Sequence, residues 1–94
     1  APYTHLKKAA RITSAAARLS LSCYTTQIGM QFYTGNFLGD GTPGKGGICA
    51  PRRGGFCLET QYFPNAPAHP SFPQPILQKG RIWTAETVYL LEDL

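Results

Sequence analysis

Among the side chains of this sequence that could do chemistry, Glu59 stands out because of its company. It lies in Gly55-Phe56-Cys57-Leu58-Glu59-Thr60-Gln61, a run of apolar and β-prone residues where an ionised carboxylate is costly unless something requires it. In an extended strand Phe56, Leu58 and Thr60 fall on one side, and Cys57, Glu59 and Gln61 on the other. The first side packs. The second presents a thiol, a carboxylate and an amide to whatever lies above the sheet, which is the composition of a polar pocket floor.

The other reactive side chains are less suggestive. Cys23, Cys49 and Cys57 are spaced by 26 and 8 positions, which are not zinc-ligand spacings. An odd count argues against a complete intrachain disulfide framework, and reduced thiols in a cytoplasmic protein are the simpler expectation. A Cys49–Cys57 bridge is the alternative for an oxidising compartment. No histidine lies near Cys57 in the sequence, so thiol catalysis lacks its base, and a thiol in such a strand is usually a small packing residue. His5 sits near the start and His69 in a proline-rich run; both read as surface or loop histidines.

The elements that must position Glu59 can be traced along the chain. The segment before residue 23 reads as a strand, a turn around residues 14–17 and a second strand. Ala9, Ala10 and Ala15-Ala16-Ala17 offer a rival local helix, since alanine leads the helix scale. Residues 1–39 contain no acid, and the Ala- and Ser-rich basic stretch from 7 to 18 also has the look of a transit peptide. Leu19, Leu21 and Cys23 alternate with Ser20, Ser22 and Tyr24, the pattern of a half-buried strand. Residues 30–33 read as another strand, and 56–61 as the next. Between them, Gly39, Gly41, Gly44, Gly46 and Gly47 with Pro43 predict a surface loop without regular structure. Pro64, Pro67, Pro70, Pro73 and Pro75 predict extended coil over 62–75. Residues 82–91 predict a closing strand.

Two separated blocks now carry a resemblance. Gln31-Phe32-Tyr33-Thr34-Gly35-Asn36-Phe37, then the Glu59 block with Phe63-Pro64-Asn65-Ala66-Pro67 and His69-Pro70-Ser71-Phe72-Pro73, resemble the C-terminal portion of the galactose mutarotase (aldose 1-epimerase) family. The likeness runs over residues 23–80, is weak over 1–22 and blurs over 81–94, the expected closing strand. It implies an all-β chain, an antiparallel sheet forming the C-terminal piece of a galactose mutarotase-like β-sandwich. The family fold is about three times this length, by the sizes all-β domains reach. The chain is therefore expected to be a single partial domain over residues 1–94.

The resemblance also implies a reaction. Interconverting the α and β anomers of a free hexose such as galactose or glucose needs a base at the anomeric hydroxyl and an acid at the ring oxygen, with no metal or cofactor. By resemblance Glu59 is the catalytic base, Gln31 contacts sugar hydroxyls and Tyr33 belongs to the pocket wall. Burial among Phe56, Tyr62 and Phe63 would raise the proton affinity of Glu59. The family's acid is a histidine from the middle of the longer chain, with no counterpart in these residues.

Composition narrows the remaining classes. The net charge is +4 with 15% charged residues, and the excess is basic before residue 54, where Asp40 faces Lys7, Lys8, Arg11, Arg18, Lys45, Arg52 and Arg53. These bases are scattered without an interleaved aromatic platform, so nucleic acid is not an expected partner. No uncharged run is long and apolar enough to span a membrane. The expected partner is a hexose monosaccharide. The alternative function is a non-catalytic carbohydrate- or protein-binding β fragment, whose unpaired edges would recruit a second copy or a complementing chain.

Overall fold

A computed structural model describes residues 4–94. Its strands, in chain order, are β1 (Lys7–Ser14), β2 (Leu19–Thr25), β3 (Gly29–Tyr33), β4 (Cys57–Gln61) and β5 (Thr87–Asp93), with single 3-10 turns at Lys45–Gly47 and Ala66–Ala68. Every pairing is antiparallel. One sheet has the order β1-β2-β5, and β3 and β4 form a separate two-stranded ribbon.

The alanine-rich start is a hairpin, not a helix. Ile12 pairs with Leu21 and Ser14 with Leu19 across it, with a bulge between Lys8 and Ala10. Arg18 closes the turn at φ 57°, and the Ala17 N–H donates to Ser14 Oγ at 3.1 Å. Cross-strand pairing outweighs the weak helix preference of alanine.

β2 is the central strand, and its burial departs from the half-buried pattern of its alternation because both faces are covered. Ser20 and Ser22 are buried, whereas Leu19 is 41% exposed. The cause is the height of the flanking side chains. Ser22 lies between Arg11 and Leu90, and Ser20 between Thr13 and Glu92, so short hydroxyls are shaded by longer neighbours. On the opposite face Cys23 and Thr25 are covered, while Leu19 and Leu91 at the far end are not.

The closing strand is also shorter than expected. Residues 82–86 are not paired in the sheet, and Ile82 is 91% exposed. β2 ends at Thr25, whose partner is Thr87, so there is no strand for earlier residues to pair with. The last rung before it is the Thr26 N–H to the Glu86 carbonyl at 3.0 Å.

Both loops carry more order than their composition suggests. In 39–47 the chain closes on itself through a Pro43–Cys49 bridge and the Gly44 N–H to Ile48 O at 2.8 Å. Asp40 accepts from the Thr42 N–H at 2.9 Å, and that bond holds its carboxyl below the usual range. In 62–75 the prolines donate nothing, which leaves carbonyls unmatched. Gln74 Nε2 gathers three of them, Ala66 O at 2.8 Å and His69 O and Phe72 O at 3.0 Å. Ala66 is fully buried beneath this brace.

Hydroxyl contacts join the ribbon to the sheet. Thr87 Oγ1 lies 3.0 Å from Thr25 Oγ1 and 2.9 Å from Thr60 Oγ1, and Tyr89 OH donates to Leu58 O at 2.7 Å. β5 thus grips β4 at Leu58 and Thr60, the residues on either side of Glu59.

Candidate active site

The ribbon places two of the sequence-predicted residues directly opposite each other. In the β3–β4 register Gln31 faces Glu59, Tyr33 faces Cys57 and Gly29 faces Gln61. Facing residues of an antiparallel pair project on the same side, with Cβ atoms about 4.5–5.5 Å apart. Gln31, Tyr33, Cys57, Glu59 and Gln61 therefore share one face. Met30, Phe32, Leu58 and Thr60 share the other, where Leu58 is buried and the Phe32 and Phe56 rings meet edge to face at 6.2 Å.

Each polar side chain has its own surroundings. Gln31 Nε2 donates to Gln61 Oε1 at 3.3 Å, and Gln61 Nε2 donates to the Tyr62 carbonyl at 2.9 Å. The Tyr33 hydroxyl accepts the Phe37 N–H at 2.9 Å. That bond anchors the loop after β3, and the hydroxyl proton of Tyr33 is still free to donate. The loop is held again where Gly35 O accepts from Leu38 N at 3.1 Å and Arg53 N at 2.9 Å, and Arg53 Nε donates to Asn36 Oδ1 at 3.1 Å.

Glu59 itself departs from expectation. Its side chain is exposed, not enclosed by Phe56, Tyr62 and Phe63. Phe56 turns to Phe32 on the opposite face. Phe63 packs edge-on to Phe72 at 5.2 Å and lies over Gly29, where an added Cβ would stand 2.9 Å from Phe63 Cδ1. The carboxylate makes no ion pair among the described residues, so both oxygens are available.

The histidines lie elsewhere. His5 Nε2 is 2.6 Å from Glu86 Oε1, and His69 stacks at a tilt on Phe72 with 5.0 Å between ring centres. Neither is hydrogen-bonded to Gln31 or Glu59. The three cysteines are free thiols, Cys23 buried and Cys49 and Cys57 exposed, and burial pushes the Cys23 thiol pKa up. Among the described residues no group of three metal-ligating side chains occurs, and no helix among them is long and apolar enough to cross a membrane.

Three contributors have no role in the sequence pattern: Gln61, which hydrogen-bonds Gln31, and Thr87 and Tyr89, which hold β4 from another strand. The alternation of β4 marks Gln61. Nothing local marks Thr87 or Tyr89, because their partners lie 27 and 31 positions away. A groove of about 570 Å³ opens beside Gln61, with Gln27, Thr60, Tyr62, Leu77 and Trp83 in its walls.

Comparison with known proteins gives this geometry its context. The aldose 1-epimerase family model matches residues 2–90. Galactose mutarotase of Sus scrofa is 46% identical over 81 residues, which is 86% of this chain and 24% of that protein. Galactose mutarotase of Homo sapiens is 51% identical over 71 residues, 76% of this chain and 21% of that protein. Aldose 1-epimerase of Escherichia coli (strain K12) is 42% identical over 85 residues, 88% of this chain and 24% of that protein. The chain thus spans about a quarter of the length of the curated relatives it matches. With a family match running over nearly all of its residues, the chain belongs to the aldose 1-epimerase family.

Proposed function

We propose that the chain is the C-terminal, base-bearing part of an aldose 1-epimerase that interconverts the α and β anomers of a free hexose such as galactose or glucose. The observation that carries this reading is the cross-strand pair of Gln31 and Glu59 on one open polar face. Glu59 takes the proton of the anomeric hydroxyl as the C1–O bond to the ring oxygen breaks, and an acid protonates that oxygen. The C1–C2 bond rotates, and closure from the other face returns both protons. Gln31 holds a sugar hydroxyl, and Tyr33 forms part of the wall. Exposure gives Glu59 access to solvent and substrate, and a covering segment would be needed to exclude water from it.

The acid must come from outside this face, since His5 is engaged with Glu86 and His69 with Phe72. The chain alone should then be a weak catalyst, because an acid and a base each contribute about 10²–10⁴-fold. Polarimetry on freshly dissolved α-D-galactose measures this directly. A rate near the protein-free control is expected. A Glu59-dependent rate well above it would overturn the partial-site reading and require His5 or His69 as the acid. The setting we infer is the cytoplasm, consistent with free thiols at Cys49 and Cys57.

A second reading is favoured by the surface. Phe32 is 60% exposed and Leu91 66%, and β1 and β5 each have one unpaired edge. Such surface suits a binding fragment that self-associates or accepts a complementing chain. Light scattering separates the cases: this second reading predicts an oligomer, and a clean monomer would count against it.

A further inference from the structure

Gln61 shares the face of Gln31 and Glu59, and both ends of its amide are engaged. Its Nε2 donates to the Tyr62 carbonyl at 2.9 Å, and its Oε1 accepts from Gln31 Nε2 at 3.3 Å. A carboxamide has one accepting and one donating end, so each contact dictates the next. The Tyr62 carbonyl can only accept, which turns the NH2 of Gln61 toward it and the oxygen toward Gln31. That oxygen also only accepts, so Gln31 must turn an N–H toward Gln61. The orientation of the Gln31 amide, ambiguous by shape alone, is therefore set by a backbone carbonyl. Its own carbonyl oxygen receives no donor among the described residues.

The rest of the fold holds this arrangement in place. Gln61 is half-buried and pairs with Gly29 at the end of the ribbon. Phe63 lies over Gly29, with Cδ1 and Cε1 at 2.9 and 3.1 Å from where a Cβ would stand. The Tyr62 carbonyl belongs to the residue after β4, at the entrance to the loop braced by Gln74.

We propose that Gln61 is a positioning residue for sugar recognition: its bridge from Tyr62 fixes Gln31 so that the Gln31 carbonyl accepts a hydrogen bond from a hexose hydroxyl. This rests on the reading of the Gln31–Glu59 face as a hexose site. It adds a polarity to that site. At the hydroxyl that meets the Gln31 oxygen the sugar must donate, and a substituent that can only accept, such as fluorine, is disfavoured there because two acceptors would meet.

The test titrates the 15N-labelled 94-residue chain with D-galactose and each of its monofluorinated analogues, following the Gln31 side-chain amide and the backbone amides of β3 and β4. In the wild-type chain one analogue should bind about tenfold more weakly than galactose, the size of a lost or opposed hydrogen bond. Gln61→Met keeps the chain length but neither polar end, so Gln31 can flip and the discrimination should fall to about twofold or less. Gln61→Leu is the second variant should the first fail to fold, as judged by the backbone spectrum. Undiminished discrimination with the Gln31 amide signals unmoved would overturn the proposal and leave the hexose reading intact. No galactose-induced shift in the wild-type chain would overturn both.

Discussion

Tyr89→Phe removes one oxygen and tests whether β5 holds the strand that carries Glu59. The Tyr89 hydroxyl donates to Leu58 O at 2.7 Å, and Thr87 Oγ1 lies 2.9 Å from Thr60 Oγ1. Tyr89→Phe keeps the ring and loses a single neutral hydrogen bond, a change of about 1 kcal/mol. Thr87→Val preserves shape and removes the hydroxyl between Thr25 and Thr60. Thr25 retains Glu86 O at 3.2 Å and the Gln27 N–H at 3.0 Å, so mainly Thr60 is left unmatched, for about 1–2 kcal/mol. Both bonds join the same two strands, so the double variant should deviate from additivity by about 0.5 kcal/mol or more. Each kcal/mol corresponds to about 4–8 °C in Tm for a domain of this size. Urea unfolding followed by circular dichroism gives the free energies, and amide exchange shows where protection is lost. The β4 amides should exchange about fivefold faster in Tyr89→Phe, the factor for about 1 kcal/mol. Unchanged stability and unchanged β4 protection would refute the idea that β5 clamps the strand.

Two further outcomes follow from the backbone and the core. Gly35 has φ +78° and an added Cβ would stand 2.7 Å from Gly55 O, whereas Gly41 has φ +86° with open space around it; Gly35→Ala should cost about 2–4 kcal/mol and Gly41→Ala about 1–2 kcal/mol, read by denaturation. Equal costs would mean that contact with Gly55 is unimportant. Cys23 is buried with its pKa raised, and Cys49 and Cys57 are exposed, so iodoacetamide should modify the latter two first. A raised thiol pKa favours the neutral form in the fold; that stabilisation is present below the unfolded thiol's pKa and is lost as pH rises through the folded one. Unfolding free energy should therefore fall through the alkaline thiol range, and Cys23→Ala should flatten that fall.

The sequence reveals the ribbon better than the sheet around it. Alternation in 56–61 puts Cys57, Glu59 and Gln61 on one face, whereas the β3–β4 register, which no local pattern marks, sets Gln31 opposite Glu59. Period-two alternation is a local signal that fixes which residues share a face, not which face is covered. The burial of Ser20 over Leu19 was hidden, because it depends on the stature of Arg11, Leu90 and Glu92 across the sheet. The start of β5 was likewise hidden, since it is set by where β2 ends. The order of the proline-rich loop comes from Gln74, a side chain that composition counts as ordinary coil. The expectation of a shielded Glu59 failed because its aromatic neighbours in sequence pack on other partners.

The most direct measurement is polarimetry on a chimera in which the 81 matched residues of the Sus scrofa relative are replaced by this chain. Circular dichroism establishes that the chimera and its variants are folded. Catalysed mutarotation of α-D-galactose by the chimera is expected, reduced about 10²-fold or more in Glu59→Gln, the share of a general base. A folded Glu59→Gln chimera that turns over galactose as fast as its parent would contradict the assignment of Glu59 as the base.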